Sequence, residues 1–301
     1  AWQRDAGQSA ENEAKNPGFA STVELKGQLG NVLRYGENSH QKAALYSAVS
    51  AHSGVAQAKL LGGKEMSYLN VFDADAAWSL VHRFAEPAAV VVKHANPCGL
   101  AVASDIETAY KRAHECDPVS AFGGIVGLNR PMTKATALAL VEVFTEVVIA
   151  PDFEPAALEV LLTKKNLRIL RAQQPFRDGW SLRGVDGAVL LQDHDVPSAD
   201  TSQWQVVSTK QPTAAQLRDA AVAWVTCAAV SSNAIVLARD NSAVGIGRTE
   251  LRSTADEHKC IVESGAQFGI DIGQINLVAR FEIKDTVTAG HVRTRFGDAV
   301  D

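Results

Sequence analysis

The stretch Ala88–Gly99, AAVVVKHANPCG, decides how the chain is read. Ala89, Val90, Val91 and Val92 form a short apolar run rich in β-branched residues, the composition of a strand covered on both faces. Such a strand belongs in an α/β layered fold. Lys93 and His94 follow at once, and Asn96-Pro97-Cys98-Gly99 supplies turn residues expected to break the strand. Strand ends in α/β folds collect ligands and catalytic groups. His94 can move protons. Lys93 can steady a developing negative charge. A strand that ends in a solvated lysine and a turn accounts for the same residues, and on spacing alone it is the simpler account.

Upstream of this strand, Asp73–Arg83 reads as a helix with Ala74, Ala77, Trp78 and Val81 on one face. Downstream, Ser104-Asp105-Ile106-Glu107 has a capping-box pattern and opens a helix with Ile106, Ala109, Tyr110 and Ala113 inward. Asp117-Pro118 ends it. Ser120–Gly124 is a glycine-hinged loop into a strand at Ile125–Leu128. A helix over Thr133–Phe144, a strand at Glu146–Ile149 and a helix from Pro155 follow, and strands at Leu167–Leu170 and Ala188–Gln192 close this half. Strands alternating with helices argue for α/β layers. A long helix spans Thr213–Val230 and leads through Ser231-Ser232-Asn233 to a strand at Ala234–Ala238, a tight turn at Asp240-Asn241 and a strand at Ala243–Ile246. That order echoes the order around Lys93, an internal two-fold repeat of α/β layers. The expected organisation is a linker over residues 1–30 with one strand near Ser21–Leu25, a first subdomain over 31–195 and a second over 196–301.

Composition narrows the function. The chain has 301 residues, 46% hydrophobic and 21% charged, ordinary for a globular protein with a sizeable core. A net charge of -5 gives no reason to expect nucleic acid or an anionic membrane as a partner. No apolar run approaches membrane-spanning length and no signal peptide is read, so the expected location is cytoplasmic. Cys98, Cys116, Cys227 and Cys260 lack metal or redox spacing. A zinc deaminase signature needs H-x-E followed by P-C-x-x-C. Here His94-Ala95-Asn96 lacks the glutamate and no second cysteine follows Cys98, which argues against zinc. His258-Lys259-Cys260 is too short a cluster for a metal without distant partners. Gly245-Ile246-Gly247 lacks the third glycine of a dinucleotide fingerprint, and Gly62-Gly63-Lys64 reads as a turn. Cys98 as a nucleophile activated by Lys93 or His94 is a further reading, beside the commoner fate of a packed cysteine. Leu33–Gln41 gathers Arg34, Tyr35, Asn38 and His40 around a glycine, a mix suited to grip an anionic ligand or to form a surface turn.

In chain order the segments LRYGENSHQ, MSYLNVFDADAAW, VVKHANPCG, AHECDPVSAFGGIVGLN, FTEVVIAP, KKNLRIL and SSNAIVLA resemble the transformylase half of the AICAR transformylase/IMP cyclohydrolase family. The resemblance runs from about Leu33 to Gly247. It implies an α/β fold of two cytidine-deaminase-like subdomains in tandem, mixed sheets with flanking helices and no catalytic metal. It implies formyl transfer from 10-formyltetrahydrofolate, the formyl donor, to the 5-amino group of AICAR in IMP biosynthesis. It further implies a homodimer with shared active sites. A cyclohydrolase half would precede residue 1 or act as a separate partner, and cyclohydrolase activity is not expected here. By position, the resemblance assigns Lys93, His94 and Asn233 to catalysis, and Arg34, Tyr35, His40, Asn70 and Gly99 to substrate binding. Ser39 and Ser231 depart from the family pattern, as does everything after Gly247. Gly273-Gln274 resembles a displaced helix start, and the aromatic-acidic stretch that lines the folate side in the family is missing. A non-catalytic nucleotide-binding relative is therefore the alternative reading.

Overall fold

The computed structural model describes residues 19, 22–48, 53–175, 180–206, 211–231, 234–248 and 277–281. The first elements among the described residues are β1 (Gly27–Leu33), β2 (Ala43–Ala48), β3 (Lys59–Gly62), α1 (Tyr68–Val81), β4 (Ala88–Lys93) and β5 (Asn96–Val102). The chain continues through α2 (Ile106–Glu115), α3 (Pro118–Ala121), β6 (Ile125–Leu128), α4 (Lys134–Val141), β7 (Val147–Ala150), α5 (Pro155–Leu162) and β8 (Arg168–Arg171). The last described elements are β9 (Trp180–Val185), β10 (Ala188–Asp193), α6 (Ala214–Ala228), β11 (Ala234–Arg239), β12 (Ser242–Arg248) and β13 (Leu277–Phe281).

Nine strands form one mixed sheet in the order β13-β11-β12-β5-β4-β6-β7-β8-β3. β6, β7 and β8 are parallel, joined by crossovers through α4 and α5, while β4 runs antiparallel to both β5 and β6. The apolar run in β4 is buried on both faces, as its β-branched composition requires. Ala88, Val90 and Val92 turn to one side and pack with Ala74, Ala77, Trp78 and Val81 of α1. Ala89 and Val91 turn to the other and pack with Ile106, Ala109, Tyr110 and Ala113 of α2. The sheet is thus the middle of three layers, and the expected mixed α/β architecture is the one observed. No helix among the described residues is long and apolar enough to cross a membrane.

The internal repeat is gapless over its core. Asp219 follows Asp73 by 146 positions, and the same shift carries Ser67 to Thr213, β4 to β11 and β5 to β12. Ser67 and Thr213 each close a capping box, with Asn70 and Gln216 three residues on. The irregularities repeat as well. In the first hairpin Val91 pairs Gly99 and Val92 pairs Pro97, leaving Cys98 as the bulged residue. In the second, Leu237 pairs Gly245 and Ala238 pairs Ala243, leaving Val244. The copies meet where β12 lies antiparallel to β5, with Ser242 opposite Ala101 and the Val102 N–H donating to the Asn241 carbonyl at 2.9 Å.

Several elements differ from the expectations. Asn96–Gly99 continues the sheet as β5, and the turn is His94-Ala95 alone. The bulge at Cys98 reconciles this with Pro97, which needs no ladder partner for the N–H it lacks. α1 begins five residues before Asp73, because the Ser67 side chain accepts the Asn70 N–H and caps it there. Asp105, not Ser104, caps α2 by accepting the Thr108 N–H. Ala188–Gln192 lies in β10, which pairs only with β9 in a separate two-stranded ribbon. Among the described residues the first strand is β1, beyond Thr22–Leu25 of the expected strand (Ser21 lies outside the described residues), and it pairs with β2; β1 is exposed up to Leu33 and so lacks the core-facing alternation of a half-buried strand.

His82, at the C-terminal end of α1, gives the fold a pH dependence. Its Nδ1 donates to the Trp78 carbonyl at 3.0 Å, and its buried Nε2 has no hydrogen-bond partner among the described residues. Burial lowers its pKa from the ordinary 6.5 and the nearby Arg130 cation acts in the same direction, against the carbonyl bond. Below 6.5 the unfolded chain therefore binds the proton that the fold resists. The stabilisation is complete above that value and is lost as pH falls towards the lowered folded value. Urea midpoints measured between about pH 7.5 and about pH 5.5 should fall on acidification, and less steeply in His82→Gln. An identical fall in the variant refutes the assignment.

Candidate active site

The hairpin β4–β5 closes through two residues, His94 at φ 51° and Ala95 at φ 56°. Paired positive φ values are those of a type I′ turn, whose twist suits a two-residue hairpin but whose usual residues are Asn and Gly. Each non-glycine residue there costs roughly 1–2 kcal/mol. The compensation comes from Asp73 on α1, whose Oδ2 accepts the His94 N–H at 3.2 Å and whose Oδ1 accepts the Ala95 N–H at 2.8 Å. Asp73 is 5% exposed. Burial raises its pKa, while the two amides and the His94 charge oppose that rise and Glu146 adds to it. Asn96 braces the far side: its Nδ2 donates to the His94 carbonyl at 2.9 Å and its Oδ1 accepts the Ser231 N–H at 2.9 Å. Lys93 is half-buried and donates from Nζ to the Phe122 carbonyl at 3.1 Å, at the end of α3. His94 itself is exposed, so its imidazole is free to meet a substrate.

A second cluster sits at the start of α1. The Arg34 N–H donates to the Met66 carbonyl and the Tyr68 N–H to the Tyr35 carbonyl, stitching Arg34-Tyr35 beside the Ser67 cap. The Arg34 guanidinium carbon lies 5.2 Å from the centre of the Tyr35 ring. Asn70 is buried, with its Oδ1 accepting the Ser67 N–H and its Nδ2 donating to Glu146 Oε2 at 2.8 Å. Arg168 lies beyond, donating from Nε to the Glu65 carbonyl at 3.0 Å and pairing with Glu146 at 3.6 Å. Burial lowers the Arg168 pKa, Glu146 opposes that, and the Arg34 cation adds to it. Two guanidiniums against one carboxylate leave this edge net cationic, which suits an anionic group.

The structure thus links Arg34, Tyr35 and Asn70 through the start of α1 to the His94-Ala95 turn, and Asn70 onward to Glu146 and Arg168. His40 is exposed on the Gly36–Gln41 loop, and no hydrogen bond among the described residues ties it to this network. Gly99 is buried, and a Cβ there would meet the Ala113 carbonyl oxygen at 1.9 Å, so close packing against α2 accounts for the glycine. Asn233, Cys260, His258 and Gly273-Gln274 lie outside the described residues. Burial raises the Cys98 thiol to about 11, with Asp117 adding and Lys93 opposing, so Cys98 is a thiol and not a thiolate at neutral pH.

Sequence reasoning missed Asp73, Glu146 and Arg168 as site residues. Asp73 stands first in the expected helix, where an acid ordinarily marks an N-terminus. Glu146 and Arg168 border short strands, and only the fold brings them to Asn70 and Arg34.

The family model described as AICARFT/IMPCHase bienzyme matches residues 5–252. A bifunctional purine biosynthesis protein PurH from Thermoanaerobacter sp. is 46% identical over 255 residues, covering 85% of this chain and 50% of that protein. The protein of the same name from Rhodospirillum rubrum is 48% identical over 232 residues, 76% of this chain and 44% of its own length. That of Bacillus mycoides is 48% identical over 247 residues, 81% and 48% respectively. The chain spans about half the length of the curated relatives it matches. On a match of that extent, the chain belongs to the AICARFT/IMPCHase bienzyme family.

Proposed function

We propose that the chain acts in purine biosynthesis by transferring a formyl group from 10-formyltetrahydrofolate to the 5-amino group of AICAR. The observation that carries this reading is the Lys93–His94 pair, held at a strand end by a strained turn and joined through α1 to the Arg34–Arg168 edge. A base, a cation and an anion-binding edge are the parts this reaction needs. The AICAR amine is a poor nucleophile because its lone pair is conjugated with the ring and the carboxamide. As the nitrogen attacks the formyl carbon, His94 accepts its proton. The carbonyl pair moves onto oxygen, and the Lys93 ammonium stabilises the oxyanion. Collapse of the tetrahedral intermediate re-forms the carbonyl and expels N10 of the folate, which takes the proton that His94 accepted. The products are formyl-AICAR and tetrahydrofolate.

Arg34 is assigned to the nucleotide phosphate, with Arg168 raising the local positive charge. Tyr35 and Asn70 shape the same edge, and Asn233 orients the formyl oxygen or the imidazole. The subdomain division at 195/196, a homodimer with shared sites and an IMP cyclohydrolase partner belong to this proposal through the family resemblance. So does a cytoplasmic location.

Release of tetrahydrofolate from 10-formyltetrahydrofolate in the presence of AICAR tests the activity, beside calorimetric titration with AICAR alone. Binding without release favours the non-catalytic alternative. His94→Ala should lose about 10²–10⁴ in kcat while AICAR affinity changes far less. Turnover above half the unmodified value excludes His94 as the base. Arg34→Ala should raise the KM for AICAR by about tenfold or more with a smaller effect on kcat, because a phosphate contact persists from ground state to transition state. The dephosphorylated nucleoside should show little further loss in that variant. Full additivity of the two losses removes Arg34 from the phosphate site. Cys98→Ala should keep kcat within about twofold, in line with its raised pKa, and inactivation of a folded Cys98→Ala protein restores the thiol mechanism.

A further inference from the structure

We infer that Asp73 is a positioning residue for the formyl transfer, holding the His94-Ala95 turn in the left-handed conformation that sets the direction of the His94 side chain. The inference rests on the assignment of His94 as the base. Asp73 touches neither reacting atom; it acts through the two backbone amides, with one carboxylate oxygen on each.

The second repeat supplies an internal comparison. Asp219, the counterpart of Asp73, accepts the Asn241 N–H at 2.7 Å, and the Asp240 amide also draws its pKa down against the effect of burial. Its turn has the same conformation, with Asp240 at φ 53° and Asn241 at φ 59°. Both copies therefore use one helix-borne carboxylate to clamp a two-residue turn. They differ in what is clamped. Asp and Asn are among the non-glycine residues most at ease at positive φ. Alanine has no such ease, and histidine brings a functional side chain to a position where turn chemistry does not ask for one. In the second copy the carboxylate supports a turn that already favours its conformation. In the first it imposes that conformation on residues chosen for another purpose, and a strained backbone at a site is the usual mark of such a constraint. Lys93 and Asn96 flank the same turn and are anchored to Phe122 and Ser231, so a relaxed turn would shift the imidazole against fixed neighbours.

The test uses the full chain and reads kcat, AICAR KM and thermal midpoint together. Asp73→Asn keeps one acceptor oxygen and loses the other. It should lower kcat by about 10- to 100-fold, the scale of a small misplacement of a reacting group, with AICAR KM within about threefold. Ala95→Gly introduced into Asp73→Asn lets glycine adopt positive φ without the carboxylate, and should recover at least about tenfold of that kcat. Asp219→Asn should lower the thermal midpoint much as Asp73→Asn does and hold kcat within about twofold. Unaltered kcat in a folded Asp73→Asn protein overturns the inference. A kcat loss that the glycine does not recover also overturns it, because a purely electrostatic or merely structural carboxylate would behave in that way. If Asp73→Asn alone does not fold, the double variant decides by the same criterion against the unmodified protein. His94→Ala separates the two levels of the argument. An active His94→Ala protein places the fault in the base assignment, and an inactive one beside a fully active Asp73→Asn places it in the positioning role.

Discussion

The carboxylate of Asp73 and the two amides of the His94-Ala95 turn form the constraint on which the candidate site depends. The balance is close. Two non-glycine residues at positive φ cost roughly 1–2 kcal/mol each. Two hydrogen bonds to an ionised acceptor return about 1.5–3 kcal/mol each. Against that return stands the desolvation of Asp73, and the raised pKa says that burial outweighs the bonds gained. The carboxylate is thus held at some cost to the fold. What it supplies is one turn conformation in place of several, at the place where Lys93 and His94 are displayed.

The repeat explains how such a turn came to be built from unfavourable residues. A clamp of helix, strand, bulge and turn occurs twice, with Cys98 and Val244 bulged at corresponding positions and Asp73 and Asp219 at corresponding helix positions. In the second copy Arg239-Asp240-Asn241 occupies the turn, and Arg112 donates to the Asp240 carbonyl, which ties that turn to α2 of the first copy. The clamp is therefore a property of the scaffold, which holds Lys-His-Ala in one copy and Arg-Asp-Asn in the other. Across the β5–β12 seam the second turn serves as packing, which leaves the first free to present charged side chains.

Much of this was legible in the sequence, for identifiable reasons. The apolar run of β4, the inward face of α2 and the Thr213 start of α6 all follow from local periodicity and capping, and the sheet realises them. The turn is misplaced on sequence grounds because Asn96-Pro97-Cys98-Gly99 has the composition of a turn. It folds as strand because the bulge at Cys98 removes the demand on Pro97 and because α2 approaches so closely that only glycine fits at Gly99. The site was half legible. Arg34, Tyr35, Lys93 and His94 show themselves as polar residues in odd places. Asp73 does not, because its partners are backbone amides 21 and 22 residues away. Arg168 does not either, since a strand of four residues beginning with arginine looks like an edge, yet its side chain is buried against Glu146 and the Glu65 carbonyl.

One helix connects the two halves of the site. Asn70 and Asp73 lie three residues apart on α1 and so share a face. Asn70 reaches Glu146 and, through it, the Arg168 guanidinium; Asp73 reaches the turn. The separation between the cationic edge and the His94 turn is thus set by one turn of helix, whose rise per residue is nearly inextensible. The helix is fixed in turn by Ser67 at its start and by Trp78, which is wholly buried and donates from its indole to the Gln173 carbonyl at 2.9 Å. Sliding α1 along the sheet would move both ends of the site together and would open the core around Ala74, Ala77 and Val81. The spacing between the cationic edge at one end and the proposed base at the other is therefore maintained by hydrophobic packing, and the polar contacts at each end read out a position that the core has already set.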